Sequence, residues 1–167
     1  HLFNAMSSLA HRAPGLPGAA LDRKEAFCEV ISDGIHLDPA IVRIAYAVLG
    51  SDRMILISDS MAATGLADGE YQLGELKVIV TDGTARTEYG AIAGSTKNVR
   101  QMVQKAISFG IPMTEAIKMA TLTPARAMGL DDRIGSIEIG KQADLVVTDT
   151  NLDVLYAIKK GEIVYQK

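Results

Sequence analysis

The 167-residue sequence predicts an α/β fold: the last third of a parallel barrel, followed by a small β layer. Three features point there. A strand, a helix and a second strand succeed one another between residues 26 and 58, at the spacing of a right-handed βαβ unit with parallel strands. A turn-rich interruption of short alternating strands follows, and helical patterns then return. From Ile134 onward the chain reads as β again and closes on a hairpin.

Taken in order, "AFCEVISDGIHL" (26–37) reads as a strand that ends in polar residues. "DPAIVRIAYAVLG" (38–50) carries a full set of helix signals: Asp38 suits the N-cap, Pro39 the first helical position and Gly50 the position past the end. Ile41, Ile44, Ala45, Val48 and Leu49 recur at i, i+3, i+4 and i+7 and are expected to form its buried face. "MILIS" (54–58) supplies the second strand. Residues 66–93 change character, with Gly and Asp-Gly turns between alternating strands, and predict an antiparallel excursion over about 69–93. Ser95 is expected to cap a helix over 96–109, with Val99, Met102, Val103, Ala106 and Ile107 inward and Gly110 ending it. A second helix is expected over 114–122. "TPARAMG" (123–129) announces a third, with Thr123 as cap, Pro124 inside the start and Gly129 at the end. "GSIEIGKQADLVVTD" (135–149) and the segment after it read as strands, with Lys160-Gly161 as a hairpin turn. The expected division is a barrel part over 1–133 and a β layer over 134–167.

Composition narrows the function classes. At 48% hydrophobic and 22% charged, the chain is composed like a soluble globular protein that buries a core. A net charge of −3 leaves no basic stripe for nucleic acid. With 5% aromatic residues and no Trp, there is little for base stacking or membrane-interface anchoring. No apolar run approaches the roughly 20 residues of a membrane span. The single cysteine, Cys28, excludes an internal disulfide and a Cys-based zinc site, and it leads us to expect a reducing, cytoplasmic setting. The sequence opens on His1 with neither an initiator Met nor a signal peptide, and is expected to be the C-terminal part of a longer protein.

Parallel α/β folds gather ligands at the carboxyl ends of their strands. Three such ends are polar here: His1 in "HLFNAM", Asp33 and His36 in "SDGIH", and Asp59 in "ISDS". His and carboxylate are the groups that metal-assisted hydrolysis requires, as ligands and as proton acceptor. Each also has a structural reading. A His at a strand end serves as a hydrogen-bonded structural residue, Asp33 before Gly34 as a turn former, and Asp59 as the cap of the next helical turn. For Asp59 the functional reading gains weight, because a charge beside a buried strand is costly unless paired or used. Arg12 lies in a Gly- and Pro-rich loop and suits bidentate phosphate recognition, against the plain reading of a solvated surface Arg. His11 beside it is read as incidental. "IAGS" (92–95), expected at a helix N-terminus, would offer free backbone N–H groups to an anion or an oxygen-rich ligand.

"HLFNAM", "HRAPG", "DGIHLDP", "LISDSMAATG", "AGST", "TPARAMGL" and "GSIEIGKQADLVV" occur in this order. The series resembles the N-acetylglucosamine-6-phosphate deacetylase family of the amidohydrolase superfamily, over essentially the whole chain. The last motif is shared widely in that superfamily; "HLFNAM" with "DGIH" and "SDSMAATG" selects the deacetylases. The resemblance implies an α/β fold comprising the C-terminal portion of a (β/α)8 TIM-type barrel followed by strands of a small β-sandwich. It implies His1 as a metal ligand after the sixth barrel strand, Asn4 and Ala5 as substrate contacts, and Arg12 as the phosphate-binding residue, acting across a dimer interface. It places Asp33, Gly34, Ile35 and His36 along the substrate, with His36 as the side-chain contact, and Ile92, Ala93 and Gly94 in a substrate-contacting loop. Asp59 becomes the catalytic acid/base after the eighth strand. In the implied reaction a divalent metal, zinc or iron, polarises the acetamide carbonyl and acidifies a bound water. Asp59 takes the proton and returns it to the departing amine of glucosamine 6-phosphate, leaving acetate.

The family's other metal ligands, a Glu and a second His, match nothing in these 167 residues, and three protein ligands are usual. The chain alone is therefore expected to be inactive and metal-free, working as a homodimer or with a missing N-terminal part. Two alternatives stay open. One is an amidohydrolase acting on a cyclic amide or nucleobase, which would have no phosphate for Arg12. The other is a non-catalytic, truncated domain.

Overall fold

The computed structural model describes all 167 residues. It is mixed α/β. A short helix α1 (Gly15–Asp22) leads into β1 (Cys28–Ile31), α2 (Pro39–Arg53) and β2 (Met54–Ile57). β1 and β2 pair in parallel, with Cys28 opposite Met54 and Ile31 opposite Ile57, so the expected βαβ unit is present. The first strand is shorter than its apolar run suggested. It stops at Ile31, and Ser32 and Asp33 turn away, Ser32 donating its hydroxyl to the Met102 carbonyl at 2.9 Å.

Asp38 caps α2 as its position predicted, accepting from the Ala40 N–H, with Pro39 behind it. Gly50 breaks the helix with φ +62. Val42, Ala45 and Leu49 are buried, and Ile41 packs at the margin of the core. Ile44 and Val48, expected in that face, are instead 54% and 51% exposed. Nothing in the 167 residues packs on that side of the helix, so the apolar stripe is wider than the core that meets it.

The excursion is a separate three-stranded antiparallel sheet, β3 (Gly69–Leu73), β4 (Leu76–Thr81) and β5 (Thr84–Thr87). It has its own small core of Met61, Ala63, Val78, Val80, Ala85 and Ala93. Helices α3 (Val99–Ser108), α4 (Met113–Ala120) and α5 (Leu122–Ala127) then return. α3 starts later than expected. Asn98, not Ser95, is its cap, forming a capping box with Gln101. Met102, Val103 and Ala106 reach the core, while Val99 stays 38% exposed. Thr123 lies inside α5 rather than capping it. Its hydroxyl donates to the Ser51 carbonyl at 2.5 Å, tying α5 to the end of α2.

The larger core joins both parallel strands to the inner faces of α2, α3 and α4 through residues such as Val30, Ile31, Met54, Met102 and Met119. Arg53 fastens α1 to it, donating to the carbonyls of Ala20, Leu21, Arg23 and Ala26. The last sheet is β6 (Leu145–Thr148), β7 (Val154–Lys159) and β8 (Glu162–Gln166), all antiparallel. Lys160 and Gly161 form its hairpin turn, both with positive φ, as expected. Of the β segments expected from Ile134, residues 134–144 form no strand but a run of bends, a turn and irregular backbone. The sheet has no fully buried residue. Arg100 of α3 pairs with Asp153, in the connection between β6 and β7, at 2.6 Å. No helix is long and apolar enough to cross a membrane.

Candidate functional site

The site is built where the parallel strands end. Leu2 donates its N–H to the Glu29 carbonyl at 2.7 Å, which lays the start of the chain beside β1. Asp33 and Asp59 each follow two residues after the last residues that β1 and β2 pair, Ile31 and Ile57. Beyond β2, the stretch around Ser95 continues the row. Ser60 and Ser95 are bridged in parallel; the Ser95 N–H donates to the Asp59 carbonyl at 2.7 Å, and the Met61 N–H to the Ser95 carbonyl at 3.1 Å.

Asp33 is a buried carboxylate with every bond accounted for. Its side chain is 1% exposed. Oδ1 accepts the N–H groups of Ile35 and His36 at 2.8 and 2.9 Å, and Oδ2 lies 2.9 Å from Nδ1 of His36. Burial by itself would raise the carboxyl's pKa. The His36 ring bond, the backbone bonds and the imidazole's charge outweigh that and hold it below the usual carboxylate range. The turn-former reading of Asp33 thus holds for its Oδ1, and both oxygens are engaged within the chain. Gly34 carries φ +77 at the apex of this turn.

Asp59 is the opposite case. It is exposed, has φ +53, and its carboxylate takes part in none of the chain's hydrogen bonds or ion pairs. It caps no helix, since the next helix begins at Val99. The burial cost expected for it does not arise, because the chain turns outward at Ser58.

A small recess brings together two of the sequence-predicted stretches. Asp33, Ile35 and His36 line one side, and Ile92 and Gly94 the other. Gly83, Thr84 and Thr96 complete it, and the sequence reading missed them. The Asp82-Gly83 turn was visible as a hairpin, but nothing in the pattern said where its tip would dock. It docks because Thr96 donates its hydroxyl to the Gly83 carbonyl, and Asp68 accepts the N–H groups of Asp82 and Gly83. The "IAGS" stretch does not sit at a helix N-terminus. The Ala93 and Ser95 N–H groups are bonded, to the Ala85 and Asp59 carbonyls, while those of Ile92 and Gly94 have no partner in the chain.

The remaining residues lie outside the recess. Asn4 closes its own turn, Nδ2 donating to the Leu2 carbonyl at 3.3 Å, and Ala5 has φ +52. Arg12 projects from a tight turn between Ala10 and Ala13, exposed and without an ion-pair partner in the chain. His1 is exposed. No group of three or more His, Cys, Asp or Glu side chains is placed to hold a metal ion.

The sequence matches the amidohydrolase family over residues 1–165. The chain belongs to that family. Among its relatives, an N-acetylglucosamine-6-phosphate deacetylase of Vibrio furnissii is 39% identical over 99% of this chain, which spans 41% of the Vibrio protein. An Escherichia coli K12 protein, described as a candidate N-acetylgalactosamine-6-phosphate deacetylase, is also 39% identical, and the match covers 98% of each. The solved structure of a Mycobacterium smegmatis N-acetyl-D-glucosamine-6-phosphate deacetylase, an Asp-to-Ala mutant in complex with N-acetyl-D-glucosamine-6-phosphate, superposes with a TM-score of 0.93 at 39% identity. That match covers 98% of this chain and 44% of the Mycobacterium chain. This amidohydrolase chain therefore spans less than half the length of two of these three relatives. Its own donor set falls short of the three ligands that a catalytic metal usually takes.

Proposed function

We propose that this chain supplies the proton-transfer residue and part of the sugar-binding surface of an enzyme that hydrolyses the acetamide of N-acetylglucosamine 6-phosphate. The products are glucosamine 6-phosphate and acetate. The observation that carries the reading is Asp59. It is an unpartnered carboxylate at a strand end, with φ +53, and its carbonyl accepts from Ser95 of the 92–95 stretch that also lines the His36 recess. Such a group is free to take a proton from the attacking water and to give it to the nitrogen as the C–N bond breaks. His36 and the 92–94 loop flank the sugar, Asn4 and Ala5 touch it, and Arg12 takes the phosphate from across a homodimer interface.

Residues 1–133 are read as the C-terminal portion of the barrel and 134–167 as strands of a β-sandwich, in a cytoplasmic protein. His1 is the metal ligand this chain offers; a zinc or iron site needs further ligands from outside these residues, and the 167 residues by themselves are inactive. The names of the relatives favour a second reading of the substrate, the 4-epimer N-acetylgalactosamine 6-phosphate. Acetate release from the two sugar phosphates, measured on the whole protein, decides between them. In the same assay Asp59→Asn, which cannot carry the proton, should lower kcat by about 10²- to 10⁴-fold while substrate still binds. Turnover near that of the unmodified enzyme would remove Asp59 from the chemistry.

A further inference from the structure

We infer that Asp33 is a positioning residue that decides which nitrogen of His36 is presented to the substrate; this rests on the deacetylase reading above. The pair is built as a unit. Both side chains are almost sealed, at 1% exposure for Asp33 and 5% for His36. Oδ2 of Asp33 faces Nδ1 of the ring at 2.9 Å, and Oδ1 holds the backbone on which the ring is mounted through the Ile35 and His36 N–H groups. A carboxylate that accepts three bonds and is kept ionised has nothing to donate. Nδ1 must therefore carry the hydrogen whatever the charge of the ring. Nε2 makes no hydrogen bond within the chain and is not among its sealed, unpartnered polar atoms. It is the nitrogen left for the recess that Ile35, Thr84, Ile92 and Gly94 share with His36.

Both oxygens are engaged within the chain, and the side chain is 1% exposed. Asp33 acts on the sugar only through His36, unlike a substrate-contacting carboxylate. One carboxylate fixes the loop, the ring plane and the tautomer together, and the cost of placing a buried charge there is met by a full set of donors.

Asp33→Asn separates these tasks. The amide oxygen can still accept the Ile35 and His36 N–H groups, but the amide N–H₂ now faces Nδ1 and makes it an acceptor. The neutral ring is then driven to the Nε2–H form. Nitrogen-15 NMR of the imidazole in the whole protein should report Nδ1–H in the unmodified protein and Nε2–H in Asp33→Asn. An unchanged tautomer overturns the proposal. Asp33→Ala, which loses the backbone bonds too, shows how much of any effect is loss of the turn.

In the whole enzyme, Asp33→Asn should lower kcat/KM by on the order of 10²-fold, the loss expected of a misplaced contact group. It should cost little further once His36 is already Asn. Full additivity of the two substitutions would mean that Asp33 acts independently of His36, and would also overturn the proposal. Should neither sugar phosphate be hydrolysed by the whole enzyme, the deacetylase reading fails, and the NMR result still decides whether Asp33 sets the ring.

Discussion

Two carboxylates follow the ends of paired strands, each two residues past the last pair, and the chain treats them in opposite ways. Asp59 is exposed and unbonded; Asp33 is sealed and bonded through both oxygens. Sequence pattern ranked Asp59 first because it follows "MILI", and it remains the free group, though not for the reason given, since no desolvation cost falls on it. The Asp33–Gly34 pair was legible as a turn, whereas the ring of His36 closing onto the second oxygen was not, because an i, i+3 contact in a loop has no periodicity to betray it. The depressed pKa of Asp33 has a measurable consequence. Its folded-state carboxyl titrates below the ordinary value of 3.8, so the stability its ionised form contributes is fully present above that value. That contribution is lost as pH falls through the lower, folded-state pKa. Asp33→Asn has no such titration. Thermal melts of the two proteins from about pH 7 to pH 2 should show a constant difference in Tm down to about pH 4, shrinking below it. A difference unchanged to the lowest pH would mean the carboxylate is not held in its charged form.

At the scale of elements, the strap over 92–95 is what places Asp59. Gly94 has φ +68, and a Cβ there would lie 3.0 Å from the Asp59 carbonyl oxygen and 3.2 Å from Met61 Cβ and Cγ. The backbone oxygen cannot swing aside as a side-chain tip can. Gly94→Ala therefore combines a left-handed backbone penalty with a push on Asp59, and should destabilise by about 1–3 kcal/mol. Turnover of the whole enzyme should fall with it. Gly74 is the matched control, with φ +60 and open space around the position. Gly74→Ala should share the strain and leave turnover alone. Equal activity in the two variants would show that the strap does not position Asp59. The elements themselves were legible wherever local signals set them, as with Asp38-Pro39 opening α2 or Lys160-Gly161 between β7 and β8. Errors arose where a tertiary partner took over a capping residue. Thr123 looks like a cap until its hydroxyl finds Ser51, and Ser95 until it is drawn into the row beside Asp59.

The whole molecule exposes more apolar surface than its own elements can cover. Ile44 and Val48 form one stripe on α2, and Val146, Ile163 and Val164 are exposed on the last sheet, with Ile137 and Ile139 projecting from the turns before it. The α2 stripe was legible as hydrophobic periodicity, and its burial was mispredicted because periodicity reports what a face needs, not whether a partner is present. Singly exposed apolar residues are ordinary, but several on one helix face and on a bare sheet make surfaces that associate. The 167-residue chain, purified by itself, should therefore sediment as oligomers or aggregates at micromolar concentration, whereas the whole protein should sediment as one defined species. Substituting Lys at Ile44 and Val48 tests the helix stripe, and Lys at Val146 and Ile163 tests the sheet. Each pair should shift the distribution toward monomer if its surface is a contact. A monodisperse monomer for the unmodified chain would mean that these faces tolerate water, and that the core of α2 to α4 suffices to hold the fold.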